Sequence, residues 1–153
     1  MTGSDVLLAV LAIGVAALLA RGSHPLVAIL LVASALAVSA LLFLPTEMLG
    51  NLVGMDRVYR FHRLTRATPF NPPEWIHIIV FAWLGLLIWL GQAKMRGWTG
   101  MALIAALGVA AELAQWLADG REPSLADAAL NVAGGLIGVL LAITLKRLFK
   151  RRR

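Results

Sequence analysis

The sequence predicts an all-α fold, a polytopic transmembrane bundle of about five membrane helices with one amphipathic interfacial helix. Three observations lead there. Of 153 residues, 60% are hydrophobic and only 14% are charged, with a mean hydropathy of +0.84; soluble domains carry roughly 25% charged residues. Five apolar segments approach the ~20 residues that a helix needs to cross a bilayer. Segments of that length in hydrocarbon must satisfy every backbone group internally, which selects helices over isolated strands.

The first segment, residues 6–20, is short for a span at ~1.5 Å per residue, so it either borrows residues 2–5 or crosses incompletely. Arg21-Gly22-Ser23-His24 reads as a tight turn, and Pro25 is well placed to start the second segment, residues 25–44. Residues 45–74 form an extracytoplasmic loop that is long for a connection between packed helices. Within it, residues 48–68 have a helical pattern. Met55, Val58, Phe61 and Leu64 share a broad side, and Arg57, Arg60, Arg63 and Arg66 occupy much of the other. That is the pattern of a basic helix lying among lipid headgroups. Its guanidinium groups serve as a surface anchor or, in a sharper reading, receive a phosphate or carboxylate. Residues 75–92, 100–118 and 126–145 supply the third, fourth and fifth segments. Trp75, Trp89, Trp98 and Trp116 fall near predicted span ends, as in an aromatic belt. Trp83 falls mid-span and reads as a packing residue. The whole chain, 1–153, reads as a single membrane domain.

The formal net charge is +6, and six of the 14 Lys and Arg lie in the tail, residues 146–153. A basic cluster directly after a span is a cytoplasmic anchor facing anionic lipid. No fold signal or aromatic pattern supports nucleic-acid binding. With the tail inside, the inner face holds nine cations, counting Arg21, Lys94 and Arg96; the outer face holds five, the loop arginines and Arg121. The bias places the N-terminus outside and the C-terminus in the cytoplasm. The absence of Cys excludes disulfides, thiolate metal sites and a Cys nucleophile. The first residues, Met1-Thr2-Gly3-Ser4-Asp5, lack the basic region of a cleaved signal peptide.

Charge in such sequence is costly and asks for a reason. His77 falls at the start of the third span, Glu112 and Gln115 near the end of the fourth, and Asp127 and Asn131 at the start of the fifth. Alternating threading puts all of them at one membrane face. Glu112 and Gln115 share a helix side with Gly108. Asp127, Asn131, Gly134 and Gly138 form one stripe, and His77, Phe81 and Gly85 another. Small residues along a stripe let membrane helices approach closely, so Gly134 and Gly138 read as packing residues, with the Glu112–Gln115 side as the expected neighbour. Together the stripes close a small polar pocket. Each residue also has a plainer reading. Glu112 can pair with Arg121, Asp127 can complement a helix dipole, Asn131 and Gln115 can be interhelical glue, and His77 can be an interfacial histidine. A metal site from His77, Glu112 and Asp127 is conceivable but has no recognised ligand spacing, and no metal is expected; no cofactor is expected either. No phosphate loop, dinucleotide fingerprint or nucleophile elbow occurs.

The run Glu112-x2-Gln115-x5-Arg121-x5-Asp127-x3-Asn131-x2-Gly134-x3-Gly138 resembles the signature of the VanZ-like membrane proteins. The stretch 75–85 is similar to that family's other block, with His77 and Leu84-Gly85 matching. Pro73 and Glu74 stand where an Asp-Lys pair is usual, and Phe81 replaces a Tyr. The resemblance makes residues 75–145 the family core. It implies a bacterial cytoplasmic-membrane protein of the cell envelope, in a family whose name member is linked to teicoplanin resistance, and it implies no particular reaction.

Two functions of different class follow. In the first, an extracytoplasmic pocket binds or modifies an anionic amphiphile: a lipid-linked wall precursor, a phospholipid or a lipophilic glycopeptide. Glu112, Asp127 and His77 are then the catalytic candidates, with Glu112 donating or accepting the proton. Gln115, Arg121, Asn131, Arg57 and Arg60 are the binding candidates. In the second, the chain is a non-catalytic scaffold whose polar cluster holds helices together and whose loop docks a partner or lipid. A transporter ranks third, because the polar residues gather at one face and no inverted repeat is visible. Membrane lipids are the expected partners; oligomeric state is left open.

Overall fold

A computed structural model describes residues 3–43, 51, 54–119 and 124–151. Among them are six α-helices and no strand: α1 (Gly3–Ala20), α2 (Pro25–Phe43), α3 (Met55–Thr65), α4 (Pro72–Gly91), α5 (Trp98–Asp119) and α6 (Leu125–Arg151). A 3-10 turn, Ala93–Met95, links α4 to α5. The all-helical class therefore stands. Of the five spans expected, two, α4 and α6, are long and apolar enough among the described residues to cross a membrane. The apolar stretches Ala9–Ala20, Pro25–Ala37 and Trp98–Ala114 are shorter.

Local chemistry sets the helix ends. Asn71 caps α4: its side chain accepts from the Glu74 N–H at 3.0 Å, and Glu74 Oε2 accepts from the Asn71 N–H at 2.7 Å. Pro72 follows at the first helical position, where no N–H is needed. This reciprocal cap starts the helix three residues before the apolar run and puts His77 in its second turn. Ser124 does similar work for α6, its hydroxyl accepting from the Asp127 N–H at 3.1 Å. The basic tail is no separate segment: α6 runs on through Lys146 to Arg151.

The helix of the long loop, α3, is shorter than the pattern suggested, with residues 48–50, 52 and 53 outside those described. Thr65 is buried and Val58 and Phe61 are half-buried, forming its inner stripe. Met55 and Leu64, expected on the apolar side, are exposed, because Leu64 sits among the arginines once the turn angle is real.

The tightest packing is between α4 and α6, which run parallel. A Cβ placed on Gly134 would lie 2.9 Å from the Ile78 Cα, and one on Gly138 would lie 2.7 Å from the Ala82 carbonyl carbon and 2.8 Å from the Leu86 nitrogen. Gly85 faces the Gly135 backbone in the same way. The glycine stripe thus meets the His77 helix, not the Glu112 helix that the sequence reading favoured. Only backbone-to-backbone contact fits there, and α4 offers Ile78, Ala82 and Gly85 as the complementary small or recessed surface. Helix α5 runs antiparallel beside α6, with Ile104, 1% exposed, seated against Gly135.

The hairpin of α1 and α2 is pinned to the other end of α4. The Gln92 amide donates to the carbonyls of Leu19 and Arg21. Trp83, read from the sequence as a packing residue, does meet a neighbouring helix. It is exposed, and its indole N–H donates to Ser34 Oγ at 2.8 Å, tying α4 to α2. Large apolar side chains such as Val10, Leu18, Ile29, Ile79 and Leu140 point outward, as in a bundle whose solvent is lipid.

Gly138→Leu should force α4 and α6 apart and cost ~1–3 kcal/mol, the usual penalty of overpacking. Gly14→Ala, where an added Cβ meets nothing within 4 Å, should leave stability unchanged or slightly raised. Thermal unfolding of the detergent-solubilised protein compares the two.

Candidate functional site

Three helix ends meet at one face of the bundle: the start of α4, the end of α5 and the start of α6. Each brings one polar group inward. Asn131, in the second turn of α6, is completely buried. Its side-chain nitrogen donates to the Gly108 carbonyl at 3.2 Å and to Glu112 Oε1 at 3.3 Å, both on α5. Its oxygen lies 2.9 Å from His77 Nδ1 on α4. Since the amide oxygen can only accept, His77 Nδ1 is the donor, which leaves the lone pair of the neutral ring on Nε2. One asparagine therefore fixes both the orientation and the tautomer of the histidine. A Cβ on Gly108 would lie 3.2 Å from the Asn131 Cβ, so that glycine keeps α5 close enough for the amide to reach it.

Glu112 is the buried acid of the set, 5% exposed. Besides Asn131, its Oε2 accepts from the Ser124 N–H at a long 3.4 Å. His77 Nδ1 stands 3.8 Å from its Oε1. Asp127 is half-buried at the rim of the same cluster, and ligand atoms of His77, Glu112 and Asp127 all lie within 4.8 Å of one another. The fold thus gathers His77, Glu112, Asp127 and Asn131, four of the residues singled out from the sequence. Chemically the arrangement offers a fixed imidazole, a desolvated carboxylate and a second carboxylate open to the surroundings.

Other expected site residues lie elsewhere or outside the description. Asn131, expected to contact a ligand, has its amide hydrogen-bonded to three protein groups. Gln115 follows Glu112 by three residues on α5, but its side chain lies outside the described set, as does Arg121 altogether. Arg57 and Arg60 are exposed on α3. Arg60 lines a shallow, open depression with Asp56, Tyr59 and Arg63, all on α3 and apart from the buried cluster. Helix α3 leads through residues 66–71 into the start of α4, so it belongs to the same face as the cluster. Ser124 escaped the sequence reading. Ser124-x-x-Asp127 directly before an apolar run is the capping-box pattern that would have found it.

A family model described as VanZ/LLP1 matches residues 8–147. No curated protein matches. No solved structure matches.

Asn131→Leu should cost about 1–3 kcal/mol, because it takes the Asn131 partner from Glu112 Oε1 and from the His77 Nδ1–H. Nitrogen-15 spectra of the histidines should show His77 as the Nδ1–H tautomer in the parent protein. That signature should be lost in the variant.

Proposed function

The chain belongs to the VanZ/LLP1 family, and from that premise we propose that it is a multi-pass protein of the bacterial cytoplasmic membrane that binds an anionic amphiphile at its extracytoplasmic face. The classes in view are lipid-linked wall precursors, phospholipid headgroups and lipophilic glycopeptides such as teicoplanin. Binding of the last would contribute to teicoplanin-type resistance. The observation that carries this reading is the buried His77–Asn131–Glu112 network spanning three helices. A polar cluster of this kind, deep in apolar sequence, marks sites where membrane proteins handle ligands or protons. In the catalytic version Glu112 moves the proton, His77 assists through its free ring nitrogen, and Asp127 orients a hydroxyl or water at the rim. Arg121, Gln115, Arg57 and Arg60 supply the contacts to phosphate or carboxylate. The N-terminus lies outside, and the basic end of α6 meets the cytoplasmic leaflet.

One observation favours a second reading. Among the described residues no buried side-chain nitrogen or oxygen lacks a hydrogen-bond partner. A fully satisfied network also suits a non-catalytic scaffold whose cluster only holds helices together.

Glu112→Gln separates the two. If the proposal holds, the variant inserts at the parent level yet loses the teicoplanin and envelope-stress phenotypes of the parent gene. Unchanged phenotypes at normal membrane level would remove the catalytic version. On the scaffold reading, Asp127→Asn and Asn131→Ala should lower melting temperature and function in step, whereas replacing active-site polar groups often stabilises. The lack of Cys makes the topology directly measurable. In whole cells, a membrane-impermeant thiol reagent should label His62→Cys, and should reach Lys94→Cys only after permeabilisation.

A further inference from the structure

We propose that His77, Glu112 and Asp127 form a binding site for one divalent transition-metal ion, Zn2+ or Mn2+ in preference to Mg2+. The proposal rests on the geometry and charge of the three side chains, and it can stand or fall apart from the anionic-amphiphile reading.

Three helices contribute one ligand-type group each: an imidazole from α4, a carboxylate from α5 and a carboxylate from α6. A ring nitrogen and one oxygen of each acid lie within 4.8 Å of one another. Ligand atoms held ~2.0–2.1 Å from a tetrahedral ion sit ~3.3 Å apart. At its widest the set is therefore open by about 1.5 Å, a gap that the Glu112 and Asp127 side chains would close on binding the ion. No spacing along a single helix could have shown this, because each ligand comes from a different element.

Charge supplies the second argument. Glu112 is buried, and among the described residues its two oxygens accept only long hydrogen bonds, 3.3 Å from Asn131 and 3.4 Å from Ser124. Among the described residues, no Lys or Arg lies within 4.0 Å of either carboxylate, and His77 is the one potentially cationic group at that range. Two carboxylates this close repel each other strongly where water is scarce. A dication between them turns the repulsion into ligation. Arg121, outside the described residues, is the rival source of positive charge.

The donor set selects the kind of ion. Imidazole suits Zn2+ and its neighbours, carboxylates suit Mn2+ as well, and Mg2+ prefers an all-oxygen octahedron that keeps its waters. Asn131 would act as the outer support: its bond to His77 Nδ1 fixes the ring plane and leaves Nε2 as the ring nitrogen whose lone pair would take the ion. An ion here would also reconcile two acidic side chains with an anionic ligand, which they otherwise repel.

The experiment uses the full chain in detergent, stripped with EDTA and then equilibrated with ZnCl2, MnCl2 or MgCl2. Metal content is read by mass spectrometry and affinity by calorimetry. The expected result is one Zn2+ or Mn2+ per chain with a raised melting temperature, and Mg2+ bound at least about ten-fold more weakly. Asp127→Asn should weaken binding by at least roughly 10–100-fold, the range seen even when an outer-shell partner is lost. It carries the test because the Ser124 cap reaches the Asp127 backbone and survives the change. His77→Ala and Glu112→Gln should weaken binding likewise, with helical content checked by circular dichroism. Substoichiometric uptake by the parent protein, or unchanged affinity in Asp127→Asn, overturns the proposal; the first outcome would leave Arg121 as the counter-charge.

Discussion

Two parallel helices of a membrane bundle can touch backbone to backbone only where side chains vanish, and α4 and α6 do so through Gly85, Gly134, Gly135 and Gly138. Each of these positions faces main-chain atoms or a recessed side chain of its neighbour. In lipid there is no hydrophobic driving force to bring helices together, so this close fit supplies the attraction. It also sets the register. With Gly134 lodged on Ile78, the preceding turns of the two helices bring His77 and Asn131 within 2.9 Å. The polar network is a consequence of apolar packing.

From that register the rest of the site follows. Asn131 has nowhere to place its nitrogen except towards α5, where the Gly108 carbonyl and Glu112 receive it. The three helices are then locked by one side chain at the level where their polar groups lie. An unsatisfied amide at such a depth would cost several kcal/mol. The network therefore favours one arrangement of α4, α5 and α6 over any slipped alternative. At the other end, Gln92 holds the α1–α2 hairpin, and the Trp89 ring packs under Arg96 and Lys146, whose cationic groups stand 5.2 and 5.5 Å from its centroid. These contacts anchor the bundle where basic residues meet the cytoplasmic leaflet in the proposed orientation.

The division between a polar, acid-bearing face and a basic, aromatic face gives the molecule a direction. Helix α3 leads into the start of α4 on that face, with Arg57, Arg60, Arg63 and Arg66 exposed, Val58 and Phe61 half-buried and Thr65 buried. Function in this proposal belongs to the acidic face and anchoring to the basic one.

Composition and segment length alone determined the helical class, because hydrocarbon leaves few other ways to satisfy a backbone. Helical period and threading likewise determined that His77, Glu112, Asp127 and Asn131 share one face. Those are properties of single helices and of chain direction, and the sequence contains both. The sequence did not contain the partner of the glycine stripe. Gly134 and Gly138 can pack on any smooth neighbour, and only the three-dimensional competition between α4 and α5 gave them Ile78 and Ala82. Nor did it contain the role of Asn131, whose amide could face a ligand or the protein until helix register assigned each of its atoms a partner. Tertiary structure decided those points because pairing between helices depends on the shapes of two surfaces at once, and a pattern along one chain segment describes only one of them.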